Sequence, residues 1–205
     1  MKLFDSRRAP NPRRVRWCMA EKGIDDIEIV PVDLFKGEHR SPDFRARTGL
    51  ARVPVLELDD GTAIGESIAI CRYLESRHPE PNLFGHDARE IAIFEMWTRR
   101  AEMLLATPLM LGVRHGHPAL AALEKQVPEF AASCLADAQR ALPVFERRLG
   151  ESAFLAGDRL GMADIVAFIG LDFARMVKFH PDESLVNLHR WADAMRQRPA
   201  ATAGC

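Results

Sequence analysis

Strand-like hydrophobic periodicity is confined to the first part of this 205-residue chain, and its loss near residue 78 constrains the fold more than any other feature. Up to about residue 78, strand-like runs alternate with amphipathic helical runs in the order β-α-β, an irregular segment, then β-β-α. After the proline-rich stretch 78–82 the strand signals vanish and helical periodicity continues alone. We therefore predict an α/β domain at 1–78, a linker at 79–86 and an all-α domain at 87–205.

In the first domain we predict a helix that begins at Asn11-Pro12, because asparagine caps helix N-termini and proline at the first helical position loses no needed donor. Gly23 should end this helix, and another helix should start at Glu66. The predicted strands are 2–5, 27–32, 53–58 and 62–64. The predicted helices of the second domain are 87–112, 118–149, 162–177 and 184–196, and the apolar run 165–171 should be buried on all sides.

Composition restricts the classes of function. The formal net charge is -1 and 47% of the residues are hydrophobic, so no global excess of charge favours nucleic acid or an anionic membrane as partner. The four cysteines form no CxxC and no metal-ligand spacing; Cys18, Cys71 and Cys134 are predicted to be small buried hydrophobes. No secretory signal opens the chain, so we expect a cytoplasmic protein with reduced thiols.

Two motifs lie twelve residues apart, Arg52-Val53-Pro54-Val55-Leu56 and Gly65-Glu66-Ser67-Ile68-Ala69-Ile70. With the domain order, they resemble the cytosolic glutathione transferase family in its bacterial type, which implies a thioredoxin-like first domain and a helical second domain. The resemblance implies a cis Val53-Pro54 bond, with the Val53 backbone pairing with the cysteinyl part of glutathione. It also implies that Glu66 binds the α-ammonium and Ser67 the γ-glutamyl carboxylate. Read from the residues alone, a trans proline on an edge strand and a plain capping pair stay open.

Two further stretches extend the resemblance. Lys36 to Phe44 resembles a basic loop of several transferase classes, in which His39 and Arg40 would reach the glycine carboxylate of glutathione; a solvated basic loop is the alternative. Ala156 to Ile165 is similar to the family's helix-capping box, with Gly161 in place of the usual hydroxyl residue and Asp164 three positions later.

The group that activates the thiol is less well defined. The only tyrosine, Tyr73, lies inside a helix, and Ala9 stands where related bacterial enzymes have a hydroxyl or thiol. The turn from Ser6 to Val15 is similar to the Asn-type (Nu-like) or Ser-type turn of bacterial classes. That resemblance makes Asn11 the first candidate to contact the sulfur, with Ser6 next. The positive charge of Arg7 and its neighbouring arginines would also stabilise a thiolate.

The sequence thus predicts an enzyme that uses glutathione as co-substrate, with no other cofactor and no metal. It would transfer the thiolate to an electrophile or use it to reduce a disulfide or peroxide. The second substrate would be small and hydrophobic or electrophilic, against a wall of apolar side chains: Met96, Trp97, Met103, Leu104, Phe168 and Phe173. Family members are usually homodimers. The rival hypothesis, favoured by Ala9, is a non-catalytic glutathione-binding or regulatory protein; a thioredoxin-type reductase and the isomerase class with a Ser-Ser-Cys loop are excluded because both motifs are absent.

Overall fold

The computed structural model describes residues 1–202, which form two compact units. The first contains residues 1–81 together with 199–202, and the second contains residues 82–198. Residues 199–202 were assigned to the helical domain from sequence, but the structure groups them with the first unit. The reason is local: Arg13 Nη2 donates a hydrogen bond to the Ala201 carbonyl at 3.1 Å, and Ala200 and Ala201 are buried.

The first unit is built on a four-stranded mixed sheet whose strands fall on the four predicted segments. The strands are β1 (Lys2–Asp5), β2 (Glu28–Pro31), β3 (Val55–Glu57) and β4 (Ala63–Gly65). Their order in the sheet is β2-β1-β3-β4. Strand β2 runs parallel to β1, whereas β3 is antiparallel to both β1 and β4. This is the thioredoxin-like arrangement that the family resemblance implied.

Alternation along the strands gives the sheet two buried faces. Leu3 and Leu56 are fully buried on one face, where α1 (Pro10–Lys22) packs against α3 (Ser67–Arg77). Phe4 and Val55 point to the other face and form a cluster with Val32 and Phe44.

Phe44 belongs to helix α2 (Pro42–Thr48), in a segment that the sequence analysis predicted to be irregular. That prediction was wrong, and the missed signals are at the helix ends. The Ser41 hydroxyl caps the helix by accepting from the Phe44 N–H at 3.2 Å, Pro42 occupies the first turn, and Gly49 ends the helix in the left-handed conformation at φ 73.

The second unit is helical throughout, as predicted. Its helices are α4 (Ala88–Arg100), α5 (Thr107–Gly116), α6 (Pro128–Glu151), α7 (Met162–Ala174) and α8 (Val186–Arg196). Residues 101–106 continue α4 into α5 as a π-helical segment, in which the Thr107 N–H donates to the Glu102 carbonyl. A local change of pitch here is physically reasonable because Pro108 has no N–H for the regular bond. The predicted helix 118–149 begins only at Pro128, after a short 3₁₀ turn at 118–120.

Helix α7 is the central helix of this unit, which confirms the prediction from the apolar run 165–171. All residues from Met162 to Leu171 are buried. Gly170 permits a close crossing with the π-helical segment, since a Cβ at this position would lie 2.8 Å from the Ala106 Cα.

The start of α7 is fixed by the buried carboxylate of Asp164, which is fully inaccessible to solvent. It accepts hydrogen bonds from the Leu155 N–H at 2.9 Å, the Gly161 N–H at 3.0 Å and the Trp191 indole N–H at 2.9 Å. Gly161 has no side chain to complete a reciprocal capping box. A Cβ there would lie 2.9 Å from the Phe94 ring, so a larger residue at this position would require that ring to move.

Candidate functional site

The strand register brings the sequence-predicted site residues to one end of the sheet. Phe4 of β1 pairs with Val55 of β3, and Val55 pairs with Gly65 of β4. Beyond this row, β1 continues into Asp5 and Ser6, β3 is preceded by Val53 and Pro54, and β4 continues into Glu66 and Ser67. Three separate stretches of the sequence therefore meet at the same edge.

Val53 offers its backbone at this edge. The Val53-Pro54 peptide bond is cis, as the resemblance implied. Val53 precedes the paired part of β3, and within residues 1–202 its N–H and C=O form no hydrogen bond. An extended peptide could therefore pair with them as an added strand.

Glu66 has a backbone conformation that is unusual for a residue with a side chain, φ 63 and ψ 118. Such a conformation costs on the order of 1–3 kcal/mol and is concentrated at ligand sites. Glu66 is exposed and directly precedes α3, whereas Ser67, the first residue of α3, is buried. The strained backbone thus presents a carboxylate beside a helix N-terminus, where free N–H groups favour an anion.

A residue that the sequence analysis did not single out lies next to Ser67. Arg14 of α1 is 2% exposed, and its Nη1 donates to the Ser67 hydroxyl at 3.4 Å. The sequence signal was present in the i, i+4 packing of α1, which places Arg14 on the same buried side as Val15 and Cys18. It was obscured by the four other arginines in the same stretch.

Helix α1 begins at Pro10, with Ala9 at the N-cap, so the predicted start at Asn11 is wrong by one to two residues. The two prolines of the first turn explain why the N-cap residue, Ala9, needs no side-chain acceptor. Pro10 and Pro12 have no N–H, and the Ala9 N–H is bonded to the Ser6 carbonyl at 2.9 Å. The Asn11 N–H is therefore the one first-turn donor left.

Because α1 begins at Pro10, the Asn11 side chain is not at the N-cap position. It does not cap α1, and its buried Oδ1 has no hydrogen-bond partner among residues 1–202. The competing capping role considered from the sequence is therefore removed.

The turn that carries Ser6 and Arg7 is held by Arg16. Its Nη1 is paired with the carboxylate of Asp5, and its Nη2 donates to the Arg7 carbonyl at 2.7 Å. Burial raises the pKa of Asp5, and the Arg16 charge opposes that effect. Arg7 itself is exposed, and Ser6 is half-buried.

The basic loop has one buried and one exposed member. His39 and Arg40 lie in a short 3₁₀ turn at 38–40 that follows β2, whose carboxyl end lies at the same end of the sheet. His39 is buried, whereas Arg40 is exposed and therefore the more accessible of these two side chains.

Comparisons with known proteins agree with this geometry. Residues 9–77 match the family model "Glutathione S-transferase, N-terminal domain", and residues 104–199 match "Glutathione S-transferase, C-terminal domain". The chain is 36% identical to glutathione S-transferase 2 of Saccharomyces cerevisiae, over 98% of this chain and 87% of the yeast protein. The chain belongs to the glutathione S-transferase family.

Two other proteins illustrate the range of this transferase family. The crystal structure of a glutathione S-transferase domain-containing protein from Marinobacter aquaeolei VT8 is 40% identical and superposes with a TM-score of 0.94, covering 98% of this chain and 100% of that one. A maleylacetoacetate isomerase of Pseudomonas aeruginosa is 34% identical over 80% of this chain and 77% of its own length.

The transferase's own thiols are poorly placed for chemistry. Cys18, Cys71 and Cys134 are buried and free, as predicted. Burial raises the pKa of the Cys71 thiol well above its usual value, and the adjacent Cys18 adds to the effect. Cys205 lies outside the described residues.

The apolar residues expected to line a second-substrate site divide into a buried and an exposed group, while Phe173 is half-buried. Trp97 and Phe168 are buried in the core of the helical unit, so they do not form an exposed wall. Met96, Met103 and Leu104 are exposed on α4 and the π-helical segment, with Met103 60% accessible.

Among residues 1–202, no helix is both long enough and apolar enough to cross a bilayer.

Proposed function

We propose that this transferase binds glutathione at the sheet edge formed by Ser6, Val53 and Glu66, stabilises its thiolate, and transfers it to an electrophile or uses it to reduce a disulfide or peroxide. The observation that carries the proposal is the register of β1, β3 and β4, which brings these separate stretches to one end of the sheet. The strained backbone of Glu66 supports a ligand-binding role at the same place.

The proposed binding mode uses the chemistry of each end of the tripeptide. The Val53 backbone, next to Pro54, pairs with the cysteinyl residue in the manner of an added strand. The Glu66 carboxylate binds the α-ammonium, while the Ser67 hydroxyl and the N-terminus of α3 bind the α-carboxylate. The exposed Arg40 and the neighbouring buried His39 bind the glycine carboxylate.

For activation we assign the main role to Asn11. A free thiol has a pKa of about 8.5 and needs a donor, a cation or a helix N-terminus to ionise at neutral pH. The Asn11 side-chain amide and its backbone N–H both lie in the first turn of α1, without a partner among residues 1–202. Ser6 is the second candidate donor, and the charge of Arg7 adds a favourable potential.

The test is the pKa of the bound thiol, followed by ultraviolet absorption of the thiolate as pH is varied. Asn11→Ala should raise this pKa by about one to two units, since a hydrogen bond to a charged group is worth about 1.5–3 kcal/mol. Ser6→Ala and Arg7→Ala should raise it less. Ser76→Ala is the control, because its hydroxyl bonds to the Tyr73 carbonyl at the far end of α3. If no site variant raises the pKa, the proposed activation is wrong.

The rival function, glutathione binding without catalysis, is favoured by one feature, Ala9. Retention on glutathione-agarose combined with no turnover of electrophiles, disulfides or peroxides would support it.

Isomerase activity is not proposed, because the turn from Ser6 to Ala9 lacks the Ser-Ser-Cys triplet. We further propose a cytoplasmic homodimer, and a second substrate that is small and hydrophobic or electrophilic and contacts the exposed Met96, Met103 and Leu104.

A further inference from the structure

Arg16 of α1 contacts both the strand and the turn that precede this helix. Its Nη1 is paired with the Asp5 carboxylate at the end of β1, and its Nη2 donates to the Arg7 carbonyl at 2.7 Å. Asp5 is only 4% exposed, so solvent and salt screen this pair weakly. The planar guanidinium can hold its two acceptors in fixed directions at the same time.

These contacts connect a closed turn to the sheet. The Asp5 carbonyl accepts from the Val32 N–H at 2.6 Å, so the end of β1 is attached to the chain that follows β2. The Ala9 N–H donates to the Ser6 carbonyl at 2.9 Å and closes the turn on itself. Arg16 bonds to the end of the strand and to the turn, so a displaced Arg16 side chain would let the turn and the start of α1 shift relative to the sheet.

We infer that Arg16 is a positioning residue for activation of the glutathione thiol. By bridging Asp5 and the Arg7 carbonyl, it fixes the turn against the sheet. The two proposed sulfur donors, Ser6 and Asn11, lie on this turn and on the first turn of the helix that follows it. The inference rests on the proposed function and adds a residue that acts through these donors.

The role of Arg16 differs from the one assigned to Arg7. The Arg16 charge is matched by the adjacent Asp5 carboxylate, so the pair adds little net potential at the sulfur. Its effect is therefore geometric. A misplacement of about 1 Å in an active site costs up to about 100-fold in rate, which is enough for a bridge of this kind to affect turnover.

The experiment measures two quantities in each variant. One is the pKa of the bound glutathione thiol, followed by ultraviolet absorption of the thiolate. The other is the dissociation constant of S-methylglutathione, which presents the peptide part without a free thiol. Arg16→Met should raise the thiol pKa by about one unit, because displaced donors lose part of a charged hydrogen bond. The dissociation constant of S-methylglutathione should change by no more than about threefold.

Two further variants separate position from charge. Asp5→Asn combined with Arg16→Met removes both charges but leaves the bridge broken, so the thiol pKa should stay raised. A return to the value of the unmodified protein would show that the Asp5 charge alone caused the effect, and would overturn the inference. Arg16→Lys keeps a cation for Asp5 but lacks the planar fork that reaches both acceptors, so its thiol pKa should be intermediate. A lysine variant that titrates like the unmodified protein overturns the two-point bridge.

Lys22→Met is the matched control, because it also removes a cation from α1, at the other end of the helix. Lys22 is paired with Glu75 and donates to the carbonyls of His78 and Pro81. This variant should lose thermal stability but keep the thiol pKa. An unchanged thiol pKa in Arg16→Met overturns the inference, and so does an equal rise in Lys22→Met, which would show that lost stability is sufficient. If the unmodified protein binds neither glutathione nor S-methylglutathione, the proposed function itself fails.

Discussion

Replacing Asp164 by alanine tests whether one buried carboxylate organises the helical unit. The side chain accepts hydrogen bonds from Leu155, Gly161 and Trp191, all at 2.9–3.0 Å. It joins the loop before α7, the start of α7 and helix α8. Alanine would leave three buried donors without an acceptor.

The magnitude follows from the number of donors. Each unsatisfied buried donor costs about 1–3 kcal/mol, so the three together cost about 3–9 kcal/mol. Against this, burial raises the pKa of Asp164 from 3.8 to about 6, so ionising the carboxylate in the folded protein costs about 3 kcal/mol at neutral pH. The net loss expected at pH 7 is therefore about 0–6 kcal/mol, and it rises to about 3–9 kcal/mol below about pH 4, against a total of about 5–15 kcal/mol for a folded domain.

The same numbers fix the sign of the pH dependence. Because the pKa of Asp164 is raised on folding, the folded state binds a proton more readily than the unfolded state does. Its contribution to stability is therefore greatest below about pH 4 and falls as the pH rises towards about 6. The difference in unfolding free energy between the unmodified protein and Asp164→Ala should accordingly shrink over that interval and then stay constant.

Urea denaturation followed by far-ultraviolet circular dichroism at several pH values measures this difference. The control is Asp158→Ala, an exposed carboxylate in the same loop, which should change stability by no more than about 0.5 kcal/mol. At pH 4, a loss below about 1 kcal/mol in Asp164→Ala would refute the reasoning, as would a difference that grows between pH 4 and 6.

Two further substitutions test the first unit. Ala9→Ser should lower the pKa of bound glutathione and raise the rate of conjugation, because it restores a hydroxyl at the helix start; Ala9→Val, which adds bulk without a donor, should not. Lys22→Met should lower the unfolding free energy by about 3–5 kcal/mol, since it removes the cation that pairs with the Glu75 carboxylate and donates to the carbonyls of His78 and Pro81. Adding Glu75→Met to it should recover part of that loss, and a double variant as unstable as the single one would contradict this explanation.

The sequence predicted the strands, and the positions of the two motifs beside them, because these depend on local patterns. Alternation and the Asp60-Gly61 turn defined β3 and β4, and the Val53-Pro54 and Glu66-Ser67 pairs flank those strands. The pairing of the strands then places the two motifs at the same end of the sheet. Local patterns do not specify which residues pair between strands, so only the structure could show that Ser6 lies at that end as well.

The differences between the predicted and the observed structure have three separate physical causes. Asn11-Pro12 is a good helix start by residue type, but Pro10 satisfies the same rule two residues earlier, and the helix begins there. Helix α2 was missed because it is only seven residues long, too short for periodicity to register. Arg14 was grouped with its neighbouring arginines and not distinguished from them, because a buried arginine looks the same in sequence as an exposed one.

In the proposed function, binding and activation depend on different parts of this fold, and they should respond differently to mutation. The proposed recognition relies on backbone groups and helix ends at one end of the sheet, so few single side chains should abolish it. The proposed activation relies on the first turn of α1, where Pro10 and Pro12 remove two donors and Ala9 supplies no hydroxyl. The acidity of the bound thiol should therefore depend on Asn11 and on whatever stands at position 9, with little change in affinity for the peptide part of glutathione.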